Sequence, residues 1–163
     1  MAPTADDYRT VMRRLPTGVC VLTMRGEDGP HGMTANTVTS VSLDPLLLLA
    51  CIDRTARAHG WIESSGEFVV NVLGAGQADL SRRFAVRDLS DAERWEGVRT
   101  VPSRTLDIPR IAGCNGYIEC RVRDTHDGGD HSIFVAEVVD VEPALDAQPL
   151  VFWKRSYRTV TPE

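Results

Sequence analysis

GYIECRVRDTHDGGDHSIFVAEVVDVE, residues 116–142, reads as two long strands joined by a turn. In the first arm Ile118, Cys120 and Val122 alternate with Glu119, Arg121 and Arg123, the period of a strand with one apolar and one polar face. The second arm, HSIFVAEVVDVE, is rich in β-branched and aromatic residues, as strands are. Between the two, GGD supplies the residues of a hairpin turn. An antiparallel pair of this length sets the class of the whole chain, because its neighbours must pair with it or cover it.

The remaining segments supply such neighbours. VCVLTM (19–24) and HGMTA (31–35) flank the turn cluster RGEDGP, so they predict a second hairpin. LLLLACI (46–52) and FVVNVL (68–73) have the length and apolarity of buried strands, and PLVFWKRSYRTV (149–160) reads as the last one. Helical spacing appears three times. Thr4 caps a helix carrying Tyr8, Val11, Met12 and Leu15, with Asp7 in its third position. RTARAHGWIESS (54–65) puts Ala58, Trp61 and Ile62 on one side, and QADLSRRFA (77–85) recurs through Leu80 and Phe84. No strand–helix–strand alternation persists, which disfavours a doubly wound sheet. The expectation is a mainly β protein, six or seven antiparallel strands with short helices, in a closed or nearly closed barrel that removes sheet edges. Residues 86–109 are polar, hold two prolines and lack clear periodicity. They predict a long excursion with a short helix around Asp91 to Trp95, serving as a lid or an interface arm.

Composition narrows the function. The chain has 163 residues, enough for a single domain, and 42% of them are apolar. A formal charge of −5 argues against nucleic acid as a partner. No apolar run reaches the ~18 residues of a membrane span, and the N-terminus lacks the order of a secretory signal, so the cytoplasm is the expected location. Cys20, Cys51, Cys114 and Cys120 lie in apolar or alternating segments without a C-x-x-C pair and read as buried free thiols, a disulfide or zinc site being the alternative. His31, His59, His126 and His131 are too scattered to be read as metal ligands from the sequence, and neither a G-x-G-x-x-G nor a P-loop motif is present.

Three stretches can carry chemistry. GMTANTVTSVS (32–42) has three threonines, two serines and an asparagine but no charge, directly ahead of a core strand. It is either the solvated face of a strand or the wall of a site for a planar polar heterocycle, which needs donors and acceptors without a competing ion pair. Asn36 offers both, and Ser40 and Ser42 share a face if the segment is extended. DLSRRFA (79–85) is either an exposed helical turn or a phosphate clamp of hydroxyl and guanidinium, to which Arg54 and Arg57 could add charge. The turn from His126 to His131 is either a plain hairpin or the carrier of a histidine, His131, at the barrel mouth.

Taken together and in order, GMTANTVTSVSLDP, LLLLACID, FVVNVL, DLSRRFA, GYIECRV, GGDHSIFVAEVVDVE and PLVFWKRSYR resemble the short-chain flavin reductases, the reductase components of two-component flavin-dependent monooxygenases. The resemblance covers about Leu15 to Arg158. It implies one flavin reductase-like split β-barrel domain over residues 1–163, usually a homodimer, that binds FAD or FMN. It further implies hydride transfer from NADH or NADPH and delivery of free reduced flavin to a monooxygenase. By the family's pattern Thr34, Ala35, Asn36, Thr37, Ser40, Val41 and Ser42 embrace the flavin ring and ribityl chain. Cys51, Ile52 and Asp53 onward to Arg57 approach the ribityl phosphate, and Ser81, Arg82, Arg83 and Phe84 contact phosphate. His131, the catalytic candidate, lies near the nicotinamide, as does Tyr157. The chain departs from the pattern at Thr37, where serine is commoner, at Leu46, which replaces a proline, and after Asp53, where Thr55 and Arg57 replace a serine. No basic pair is assignable to a 2′-phosphate, which favours NADH. The competing reading is a non-enzymatic flavin- or haem-binding protein on the same barrel. An oxidase of the pyridoxamine-phosphate type is disfavoured by the single lysine, Lys154.

Overall fold

The computed structural model describes residues 2–160. Its elements, in chain order, are α1 (Ala5–Met12), β1 (Thr17–Gly18), β2 (Cys20–Arg25), β3 (Pro30–Ala35), β4 (Val38–Leu43), β5 (Leu46–Asp53), α2 (Arg57–Ser65) and β6 (Glu67–Val72). A 3-10 turn at Ala75–Gln77 leads into α3 (Ala78–Ala85) and α4 (Asp91–Trp95). Then follow β7 (Thr100–Val101), β8 (Arg110–Ile111), β9 (Gly116–Gly128), β10 (His131–Pro143), β11 (Val151–Trp153) and β12 (Ser156–Arg158).

The expected hairpin is β9–β10, turning at Gly129, whose φ of 78° is left-handed, and Asp130. It forms the middle of a seven-stranded antiparallel sheet ordered β3-β2-β6-β9-β10-β5-β4. The end strands β3 and β4 are consecutive in the chain, linked through Asn36 and Thr37, yet they do not pair with each other. The sheet therefore curls into a barrel with one open seam, the split barrel anticipated above. Inside it, Leu22, Met24, Ala50, Ile52, Phe68 and Phe134 pack with Ala58 and Ile62 of α2. Each large side chain buried here contributes about 1.5–3 kcal/mol. Gly66, at φ 67°, ends α2 and donates its N–H to the Ile62 carbonyl, which turns the chain straight into β6.

Three elements depart from the sequence expectation. The alternation along β9 predicts Glu119 on a polar face, but Glu119 is fully buried. The cause is the second half of the excursion, which packs on the barrel. Residues 103–111 lie over the outer face of β2, β6 and β9 and complete its hydrogen bonds. Glu119 accepts the N–H groups of Arg104, Thr105 and Leu106 at 2.7, 2.9 and 2.8 Å. Asn71 accepts that of Ile111, and the Thr23 hydroxyl donates to the Pro109 carbonyl. Second, PLVFWKRSYRTV is not one strand. It folds into the hairpin β11–β12, with Lys154 and Arg155 at φ 49° and 62° in the turn. No glycine signals that turn; it is held because Lys154 N–H and Trp153 Nε1 donate to the Arg13 and Arg14 carbonyls. Third, a bulge between Ser40 and Ser42 breaks the alternation that would put them on one face.

Candidate active site

A cavity of about 530 Å³ opens beside the barrel seam, a size typical of cofactor sites. One wall is β3 and its exit, His31 to Thr37. Cys51 and Asp53 from the end of β5, and Thr55 to Ala58 at the start of α2, form the second. The third runs from Phe84 to Asp88, with Arg94 behind it, and His131 stands at the edge.

The Phe84 ring can lie directly against β3 because residue 32 is glycine. A Cβ there would stand 2.6 Å from Phe84 Cδ1 and 3.4 Å from Trp95 Cζ2. Phe84 meets Trp95 edge-on, with ring centroids 5.1 Å apart. The uncharged wall is also pre-set. Thr34 Oγ1 donates to the Ser81 carbonyl at 2.7 Å, and Thr37 Oγ1 to the Cys51 carbonyl at 2.8 Å. Their protons are committed to the fold, so toward the cavity these hydroxyls can only accept. Asn36 Nδ2 reaches Thr17 Oγ1 at 3.3 Å, which fixes the amide's orientation.

Charge gathers on the opposite side. Asp91, at the start of α4, accepts from His31 Nδ1 at 2.7 Å and pairs with Arg57 at 2.6 Å. Burial pushes the His31 imidazole below its ordinary range, against the pull of the Asp91 carboxylate. Buried Arg94 donates to the carbonyls of Phe84, Val86 and Leu89 and so pins the third wall. Asp53 accepts from the Thr55 hydroxyl and N–H and pairs with Arg87 at 2.6 Å. These bonds, the Thr55 hydroxyl's foremost, hold its carboxyl well below the usual carboxylate range. His131 faces Asp53 across the β10–β5 ladder, and its Nδ1 meets Asp130 Oδ1 at 2.7 Å.

Of the expected site residues, the cavity gathers Thr34, Ala35, Asn36, Thr37, Cys51, Asp53, Arg57, Phe84 and His131. It does not gather the others. Ser40, Val41 and Ser42 lie along β4, outside its lining. Ile52 points into the barrel core. Ser81 is fully buried with its hydroxyl against Tyr157 OH at 2.8 Å. Arg82 pairs with Asp79 and lies 5.0 Å over the Tyr157 ring, and Arg83 donates to the Glu96 carbonyl. The expected phosphate clamp is thus turned away, since Phe84 takes the inward face of α3 and neighbouring arginines must face outward. The cations at the cavity are Arg57, Arg87 and Arg94; Arg87, Arg94, their neighbour Asp91, and His31 on β3 were not among the expected site residues. For Arg87, Asp91 and Arg94 the one sequence signal was the polarity of the excursion.

The cysteines are free thiols. Burial pushes Cys20 up to about 12 and Cys114 up to about 11, and Cys120 moves the same way, so none of these three supplies a thiolate near neutrality.

Residues 12–161 match the family model described as a flavin reductase like domain. The reductase subunit HsaB of a flavin-dependent monooxygenase from Mycobacterium tuberculosis (strain ATCC 25618 / H37Rv) is 35% identical over 158 residues, 96% of this chain and 82% of that protein. A flavin reductase (NADH) of Kitasatospora aureofaciens is 40% identical over 155 residues, 93% of this chain and 80% of its own. Among solved structures, the Streptomyces globisporus C-1027 NADH:FAD oxidoreductase SgcE6, in complex with NAD and FAD fragments, superposes with a TM-score of 0.90. It is 35% identical, and the match covers 97% of this chain and 93% of that one.

Proposed function

The chain belongs to the flavin reductase-like family, and from that premise we propose that its cavity accepts FAD or FMN together with NADH and releases the flavin reduced, for use by a partner monooxygenase. The observation that carries this reading is the division of one cavity into an uncharged wall, residues 32–37, and a rim where Arg57 and Arg87 present guanidinium groups, each paired with a carboxylate. A flavin with its phosphate has the same division: a neutral, hydrogen-bonding ring at one end and an anion at the other. The ring supplies the chemistry, accepting hydride from the reduced nicotinamide.

The protein's part is orientation and solvent exclusion. Asn36 and the backbone of residues 34–37 offer donors and acceptors to the ring edge, while Phe84, seated against Gly32, borders the same cavity. Arg57 and Arg87 face the phosphate. His131, at the edge and tethered by Asp130, orients the nicotinamide. Ser81 and Tyr157 act from behind, Ser81 by accepting the Thr34 hydroxyl.

The test is NADH oxidation by the purified protein with FAD, FMN or riboflavin, followed at the nicotinamide absorption band. Oxidation no faster than the flavin-only blank overturns the enzyme reading and leaves the non-enzymatic binder. His131→Ala lowers kcat/KM for NADH by about 10-fold, a loss of about 1.4 kcal/mol in the transition state, while flavin affinity changes by less than about 2-fold. Equal losses in both overturn the assignment.

The same reading makes the protein a cytoplasmic homodimer. Support comes from apolar side chains left uncovered in one chain. On α1 and just beyond it, Tyr8, Val11, Met12 and Leu15 are 42–66% exposed, and at the β4–β5 edge Val41, Leu43 and Leu46 are 47–84% exposed. Among the described residues no helix is long and apolar enough to cross a membrane. Sedimentation equilibrium that returns only the monomer mass overturns the dimer.

A further inference from the structure

Arg87 has the most exposed side chain of the three cavity arginines, 69% against 51% for Arg57 and 4% for Arg94. It belongs to the segment leaving α3, whose carbonyls at Phe84, Val86 and Leu89 are pinned by Arg94. The backbone on either side of Arg87 is therefore fixed, while the side chain is 69% exposed. From that anchored base it reaches the β5 wall, where Nη2 meets Asp53 Oδ2 at 2.6 Å and Nη1 meets Thr55 Oγ1 at 3.2 Å. A guanidinium on a fixed base at the rim of a polar cavity presents two parallel donors, the geometry that matches a phosphate.

That fork is already engaged by a carboxylate. Arg57 is in the same condition, tied to Asp91 at 2.6 Å. Any phosphate arriving at this rim must share a guanidinium with a carboxylate or displace it. Removing the carboxylate's charge while keeping its shape would free the arginine for the ligand. Removing the arginine would deprive the ligand of its donor. The two changes at one ion pair must then act in opposite directions.

We propose that Arg87 binds a phosphate ester at the cavity mouth, and that Asp53, by competing for the same guanidinium, keeps that binding weak enough for release. The pair thereby determines how strongly the site prefers phosphorylated ligands over phosphate-free ones. The phosphate belongs either to the flavin or to the nicotinamide dinucleotide. This rests on the flavin-reductase reading above, and it deepens that reading by naming residues that set selectivity.

The experiment is titration calorimetry on wild-type protein and the variants Arg87→Ala, Arg87→Lys and Asp53→Asn. Four ligands are used: FMN against riboflavin, and NADH against the phosphate-free donor 1-benzyl-1,4-dihydronicotinamide. In one of the two pairs, Arg87→Ala reduces the preference for the phosphorylated member by about 10-fold or more, the scale of a lost charge-assisted hydrogen bond. Arg87→Lys, which keeps the charge but not the fork, restores part of it. Asp53→Asn, whose amide oxygen still accepts from Thr55, raises the same preference by about 3-fold, the scale of an exposed ion pair. Whichever pair responds identifies the phosphate. The proposal is overturned if Arg87→Ala weakens both members of each pair alike, or changes neither. It is equally overturned if Asp53→Asn weakens the phosphorylated ligand as Arg87→Ala does, since Asp53 would then only position the arginine. Wild-type protein that binds neither flavin and fails to oxidise NADH removes the parent reading, and this inference with it; a normal wild type with unresponsive variants removes this inference alone.

Discussion

Replacing Glu119 with alanine lowers the stability of the domain by about 3–5 kcal/mol, the usual cost of breaking a buried charged group's set of partners. The residue is fully buried on β9 and accepts three consecutive backbone N–H groups, from Arg104, Thr105 and Leu106. Arg110, stacked 4.5 Å over Tyr117, lies 3.9 Å from the same carboxylate and donates to Glu142 at 2.7 Å. Alanine leaves the three donors and part of the Arg110 charge without a partner. At about 2–4 °C per kcal/mol for a chain of this size, Tm falls by about 10 °C. Glu119→Gln costs less, because one amide oxygen still accepts while the new NH2 opposes a donor. Urea denaturation of both variants measures the effect, and a loss under about 1 kcal/mol for Glu119→Ala contradicts it. The contacts lie on the outer face of the sheet, away from the cavity lining, so flavin binding by the folded variant serves as the control.

Gly32→Ala strikes the same outer face, at the far end of the cross-strand row Gly32–Thr23–Val69–Glu119, and costs about 2–3 kcal/mol by overpacking. The added methyl would overlap the Phe84 ring, which cannot swing freely because Trp95 closes on it edge-on. Phe84 is itself part of the cavity lining, so its displacement alters the site, and flavin affinity falls by about 10-fold, equivalent to about 1.4 kcal/mol. The cause can be isolated. Phe84→Leu alone destabilises by leaving a gap, but combined with Gly32→Ala it makes room for the methyl. The double variant is then more stable than the sum of the single losses requires, by about 1 kcal/mol or more in a double-mutant cycle. A Gly32→Ala protein with wild-type stability, or strictly additive losses, contradicts the packing argument.

Both residues show how far local pattern reaches. Cys120 and Val122 were legible as one face of β9, and the hairpin turn was legible from its glycines, because those signals are carried by residues adjacent in the chain. Glu119 looked like a solvent-facing charge. Its burial depends on a segment that returns over the sheet from another part of the chain, and alternation alone does not report whether a second layer covers a polar face. The helix caps were legible for the same local reason: Thr4 and Asp7 do form a reciprocal cap at the start of α1. The turn at Lys154 and Arg155 was not, since it is held by carbonyls of residues 13 and 14.

The candidate site divides along the same line. Residues 34–37 stood out by their lack of charge, and the order of motifs along the chain gave the family and its split barrel. Those properties were determined by the sequence itself: strand period, turn chemistry and the succession of motifs are all written in neighbouring residues. Which charges reach the cavity was decided by the tertiary structure. Arg82 and Arg83, conspicuous in the sequence, turn outward because Phe84 fills the inward face of α3. Arg87, inconspicuous in a polar excursion, reaches the cavity because Arg94 pins the segment between α3 and α4 and Asp91 joins it to β3 and α2. A helix can present only one face inward, and an ion pair joins residues by distance in space, so the placement of charge had to await the fold.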